Sequence, residues 1–102
     1  MIDYRSESIN RLLETIVGMK STDEAYAFFE DLCTIKEIQD MAQRLETALL
    51  LDKGLSYQKI SDMVGVSTAT ISRVNRALTY GSDGYRTAID KMKEAETEND
   101  NK

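Results

Sequence analysis

The sequence predicts an all-α fold of six helices, and three observations carry that prediction. Apolar residues recur at three- and four-residue spacing in successive stretches of the chain. Two Ser/Thr-x-x-Glu pairs, Ser21–Glu24 and Thr34–Glu37, have the form of capping boxes that open helices. Glycines punctuate the pattern where helices must stop, and no proline interrupts it.

The first helix is expected from about Ser6 to Lys20, with Ile9, Leu12, Leu13, Ile16 and Val17 on one face as a core or interface stripe. The second follows Ser21 and turns Ala25, Phe28, Phe29 and Leu32 inward, so both phenylalanines should sit deep in the core. Cys33, the single cysteine, reads as a small buried residue. The third and longest helix starts at Thr34 and ends near Lys53, before Gly54. Ile38, Met41, Ala42, Leu45, Ala48, Leu49 and Asp52 trace one face, with Leu50 and Leu51 apolar beside it. A helix apolar on more than one side of so small a domain needs more than one neighbour, and a partner subunit is a natural one.

Leu55 to Leu78 reads as two short helices joined by a tight turn. Ser56 caps the first, whose inward face is Ile60, Met63 and Val64. Gly65 supplies the turn, and Val66 plugs the corner. Ser67 caps the second, whose inward face is Ile71, Val74 and Leu78. Ser61 is small where the two helices cross. This is the spacing of a helix-turn-helix, over residues 56–78. Gly81 and Gly84 then break the chain, and a last helix from about Ser82 or Asp83 carries Tyr85, Ala88, Ile89 and Met92 on one stripe. Arg86, Lys91 and Lys93 lie off that stripe; a solvated face is the preferred reading, and contact with the DNA backbone the alternative. Residues 1–93 are thus expected to form one helical domain, and 94–102 a polar, acidic, frayed or disordered tail.

Composition narrows the function. No apolar run is long enough to cross a bilayer, and the N-terminal MIDYRSES lacks the apolar core of a signal peptide, so a cytoplasmic address with no membrane partner is expected. The chain has no histidine, which removes the commonest metal ligand and general base. No nucleophile–base pair, phosphate loop or metal-ligand spacing is present, so the expectation is a non-enzyme without a metal.

The net charge of −5 is unevenly spread. Residues 55–80 carry Lys59, Arg73 and Arg76 against Asp62 alone, and are the only net-positive stretch. On the outer face of the second short helix stand Thr68, Ala69, Ser72, Arg73 and Arg76, with Ser67 and Thr70 at its edges. Short hydroxyls and helix N-terminal N–H groups approach phosphates and base edges closely. Arginine forks onto guanine or clamps a phosphate. Together with Ser56, these residues are the candidate contacts to double-stranded DNA.

Leu55-Ser56, Gly65, the run Ala69-Thr70-Ile71-Ser72-Arg73 and the closing Leu78 resemble the tryptophan repressor superfamily. They are closer still to its YerC/YecD-type relatives in Gram-positive bacteria. The resemblance implies a six-helix, intertwined homodimer and a palindromic operator, with recognition helices ~34 Å apart. It also implies an effector pocket, placed by resemblance at Gln43, Arg44, Arg73, Val74 and Ala77. Arg73 matches the arginine that stacks on the indole of tryptophan. The second stacking arginine is met by Gln43, with Arg44 next to it. Val74 stands for a glycine that leaves room for the ligand, and would intrude on that space; Ala77 replaces a ligand-holding serine. Tryptophan is therefore not the expected corepressor, and no cofactor is expected, although another effector is compatible with the residues. The favoured reading is a DNA-binding transcriptional repressor. The rival, motivated by the acidic remainder of the chain, is a helix-turn-helix used for protein–protein docking.

Overall fold

The computed structural model describes residues 4–100, which form six α-helices: α1 Glu7–Val17, α2 Thr22–Leu32, α3 Ile35–Asp52, α4 Tyr57–Val64, α5 Thr68–Tyr80 and α6 Gly84–Asp100. The caps appear where the sequence places them. Ser6, Ser21, Ser56 and Ser67 each accept a hydrogen bond from the backbone N–H three residues on, satisfying a donor the helix leaves open. Thr34 and Glu37 close a full capping box, at 2.8 and 3.1 Å. Glu24 departs from that form: its carboxylate accepts from the Lys20 N–H at 2.7 Å, one residue before the cap.

The described residues fall into two compact units, one up to Ile38 and one from Gln39. In the first, no residue of α1 or α2 is buried. Phe28 and Phe29 pack edge to face at 5.8 Å, yet both are only half-buried, against the expected deep core position. Cys33 is likewise half-buried. Leu13, Val17, Leu32 and Ile35 are exposed. The reason is size: fewer than about 40 residues with two three-turn helices cannot enclose an apolar stripe of their own.

Every buried residue among those described lies in the second unit. Leu50, Ile60, Val66 and Ile71 form one cluster, flanked by Leu51, Leu55 and Val64. Ala48, Val74 and Ile89 form another, flanked by Leu49, Leu51, Leu78 and Tyr85. The buried part of α3 is thus Thr47, Ala48 and Leu50, whereas Met41 and Leu45 of the predicted stripe are exposed. Ala48 and Leu49 of the predicted face pack with Val74 of α5, and Leu50 and Leu51, read from sequence as lying beside it, also meet α4 and α5. Thr47 is buried without cost because its hydroxyl donates to the Gln43 carbonyl at 2.7 Å.

The α3–α4 joint is a left-handed glycine cap. Gly54 has φ +85°, and the N–H groups of Gly54 and Leu55 return to the carbonyls of Leu51 and Leu50. This pairing brings Leu55 back onto the Leu50 cluster, which fixes where α4 starts. The α4–α5 turn repeats the device: Gly65 has φ +83° and its N–H donates to the Ser61 carbonyl at 2.9 Å. Ser61 does more than save space, because its hydroxyl donates to the Val66 carbonyl at 2.8 Å and pins the turn. Met63 corrects the sequence reading, since it is 58% exposed; Ile60 and Val64 alone face inward from α4.

Helix α6 is held by Ile89, 1% exposed, and by a three-residue ion cluster. Asp52, at the end of α3, takes Arg86 and Lys93 at 2.7 Å each. Those two cations are thus not simply solvated, the reading the sequence favoured, but tie α6 to α3. The helix also runs on to Asp100, where a frayed or disordered tail was expected from residue 94; residues 1–3 and 101–102 lie outside the described residues. Residues 94–98 are exposed, so burial does not drive the extension; Glu94, Ala95, Glu96 and Glu98 are good helix formers.

Two expected outcomes follow from these joints. Gly65→Ala meets no atom within 4 Å, so its cost is the left-handed backbone alone, about 1–2 kcal/mol in denaturant unfolding, with Gly65→Asn costing less. Asp52 is held below the usual carboxylate range by its hydrogen bonds from Lys93 and Arg86. Its ionisation therefore favours the folded state at every pH above that range, and the contribution is lost as pH falls through the lowered value. Thermal unfolding from neutral to strongly acid pH should show a smaller loss for Asp52→Asn than for the parent chain. Equal losses would remove Asp52 from the stability of the fold.

Candidate nucleic-acid interface

Helix α5 has two sharply different sides. Ile71 and Val74 are buried and Leu78 half-buried, which anchors one side against α3, α4 and α6. On the other, Thr68, Ala69, Ser72, Arg73 and Arg76 are all exposed. Ser67 is exposed at the cap, and Thr70 is half-buried at the edge, as the periodicity predicted. The Ser67 hydroxyl accepts from the Thr70 N–H and donates to the Thr70 hydroxyl, both at 3.1 Å. Ser56, the exposed cap of α4, is the remaining candidate and binds the Lys59 N–H at 3.2 Å.

The charge on this face is unpaired. No ion pair among the described residues involves Arg73 or Arg76, and α5 contains no carboxylate. A helix N-terminus opening on short hydroxyls, followed one and two turns later by free guanidinium groups, favours negative charge along its length. The side chains could meet phosphate oxygens or the edges of bases, and the rigid packing of the opposite side holds them in one orientation.

The pocket inferred by resemblance is only partly assembled. Gln43, Arg44 and Arg73 do line one cleft, of about 310 Å³, between α3 and the start of α5. Val74 does not line it. At 2% exposure it packs with Ala48 and Ile89, so it binds α5 into the core instead of filling a ligand space. Ala77 is exposed and also lies outside the cleft. The remaining lining comes from Asp40, Gly65, Val66 and Thr70, which were not singled out for it. Asp40 had a usable signal, since it precedes Arg44 by four residues and so shares its face of α3. A second, more open groove of about 340 Å³ is lined by Ala42, Gln43, Glu46, Leu50, Met63 and Val64.

Among the described residues no group of His, Cys, Asp and Glu is placed to hold a metal ion, and no helix is long and apolar enough to cross a membrane.

The sequence profile of the Trp repressor protein family matches residues 7–93. The chain is 51% identical over 98 residues to "Uncharacterized protein YerC" of Bacillus subtilis (strain 168), a match covering 96% of this chain and 94% of that relative. A TrpR-like protein from Eubacterium eligens has a crystal structure similar to this fold, with a TM-score of 0.84 and 45% identity over 86% of this chain and 91% of that one. A putative Trp repressor from Staphylococcus aureus is similar at a TM-score of 0.84 and 42% identity, over 87% and 89% of the two chains. With the six-helix order, the helix-turn-helix and a profile match over most of its length, the chain belongs to the Trp repressor protein family.

Proposed function

We propose that the protein is a sequence-specific DNA-binding transcriptional regulator that acts as a dimeric repressor. One observation carries the reading: the outer face of α5 presents hydroxyls and then two unpaired arginines, with its opposite face locked in the core. Ser56, Ser67, Thr68, Ala69, Thr70 and Ser72 set the register on the duplex through hydroxyl, backbone and methyl contacts. Arg73 and Arg76 read bases or clamp phosphates. Occupying a promoter then occludes polymerase.

Dimerisation is supported by the apolar side chains that the first unit leaves in solvent, with Val17 85% and Ile35 70% exposed. A second copy of the chain is the partner that would cover them, and a two-fold dimer calls for a palindromic operator. Tryptophan is not the corepressor in this reading. Gln43 stands where the resemblance calls for an arginine, and the position that should open space for the ligand is Val74, committed to the core. The packing of Val74 onto Ala48 and Ile89 would hold α5 in place without a ligand, so no population cost remains for a corepressor to offset.

Selection of DNA from a random pool tests the function, run with and without tryptophan. A palindrome of two half-sites about one turn apart, enriched equally in both arms, is the expected result. Enrichment with tryptophan alone would overturn the ligand-free reading, and no enrichment would leave two candidates, an effector other than tryptophan or protein docking. On the selected site, Arg76→Ala should weaken binding by about 1–3 kcal/mol and relax specificity at one position if the residue reads a base. If it meets phosphate, all sequences weaken alike and the salt slope falls by about one. Unchanged affinity and slope would take Arg76 out of the interface.

A further inference from the structure

Between α5 and α6 the backbone takes a conformation that L side chains rarely adopt. Among the described residues Asp83 is the only non-glycine residue in the left-handed region, at φ +65°. It is also the only aspartate in the chain followed by glycine, and every other described aspartate lies within a helix. Within a helix the next N–H is held by the ladder or the cap. Gly84 instead opens α6, so its N–H is one of the donors left without an intrahelical acceptor. Both residues are exposed, and nothing lies within 4 Å of the place a Cβ on Gly84 would take. The Asp83 carboxylate feels the Arg86 guanidinium, but among the described residues it makes no ion pair or hydrogen bond.

An unanchored carboxyl group thus stands beside an unhindered amide nitrogen. We propose that Asp83–Gly84 is a site of spontaneous isoaspartate formation, a covalent modification that loosens the start of α6 and its hold on α5. The Gly84 nitrogen bonds to the side-chain carboxyl carbon of Asp83. Its proton and the departing hydroxyl leave as water, and a cyclic succinimide results. Water then adds to one of the two ring carbonyls. Addition at the side-chain carbon restores aspartate. Addition at the main-chain carbon breaks its bond to the Gly84 nitrogen, which stays linked through the side chain, and the main-chain carboxylate is set free. One water leaves and one enters, so composition and oxidation state are unchanged.

The product also relieves the left-handed backbone, because the chain then runs through the Cβ methylene and gains a rotatable bond. The consequence falls on the first turn of α6. The Asp83 carbonyl accepts from the Thr87 N–H at 2.9 Å, and in the isomer that oxygen belongs to the free carboxylate. Gly84 stands one atom farther along the chain. Tyr85 and Ile89, which follow directly, pack in the cluster that holds Val74 of α5.

The test ages the full chain at physiological temperature and neutral pH. Isoaspartate is counted with an isoaspartyl carboxyl methyltransferase and tritiated S-adenosylmethionine, which transfers a labelled methyl group to the free carboxylate, and peptide mapping locates it. Label is expected to accumulate at Asp83, several-fold faster than in Gly84→Ala, whose methyl group hinders the attacking nitrogen. That alanine meets no neighbour, so the variant keeps the fold, as its unfolding temperature reports. The aged parent chain should unfold at a lower temperature than the fresh one, and aged Gly84→Ala should not. Absence of label at Asp83, or label there that Gly84→Ala leaves unchanged, would overturn the site. Equal unfolding temperatures of fresh and labelled parent chain would overturn its effect on α6. Neither measurement contains DNA, so the outcome is independent of the DNA-binding reading.

Discussion

The placement of α5 depends on two isoleucine- and valine-sized side chains, Ile71 and Val74, that enter separate apolar clusters. Ile71 joins Leu50, Ile60 and Val66, which ties α5 to α3 and α4. Val74 joins Ala48 and Ile89, which ties it to α3 and α6. Burying side chains of this kind contributes roughly 1.5–3 kcal/mol apiece, and together they fix both the rotation and the tilt of one short helix. Every exposed residue on α5 inherits its direction from those two contacts. Leu51 packs against both clusters, so the end of α3 acts as the common wall.

Polar contacts complete what the apolar ones begin. Gly54 and Gly65 close the joints on either side of α4 with left-handed caps, and the Ser61 hydroxyl holds the second turn through the Val66 carbonyl. Asp52 does the same for α6 by pairing with Arg86 and Lys93. These bonds matter for function because they remove three groups from competition. Two cations share one carboxylate, which they cover. Of the arginines in this unit, Arg86 is paired, and Arg44, Arg73 and Arg76, on α5 or beside the cleft, make no ion pair among the described residues. An acidic protein can in this way present a local basic surface, with its selectivity left to specific contacts. Arg73 belongs both to the outer face of α5 and to the cleft beside it, and Thr70 stands at the edge of the two.

The sequence by itself determined the six helices, their caps, the glycine turn and the split of α5 into an apolar and a hydroxyl-arginine side. These are local matters of spacing and end chemistry, set within one or two turns by the residues involved. It did not determine which apolar stripe would be buried. Met41, Leu45, Met63 and both phenylalanines fit an inward pattern as well as Leu50 and Leu51 do, and periodicity cannot say which stripe finds a neighbour. Nor could it pair Asp52 with residues 34 and 41 positions away, or separate Val74 from the cleft that receives Arg73. It also did not show that α6 continues through residues 94–100. Those outcomes depend on which helices meet and at what angle, and only the tertiary structure decided them.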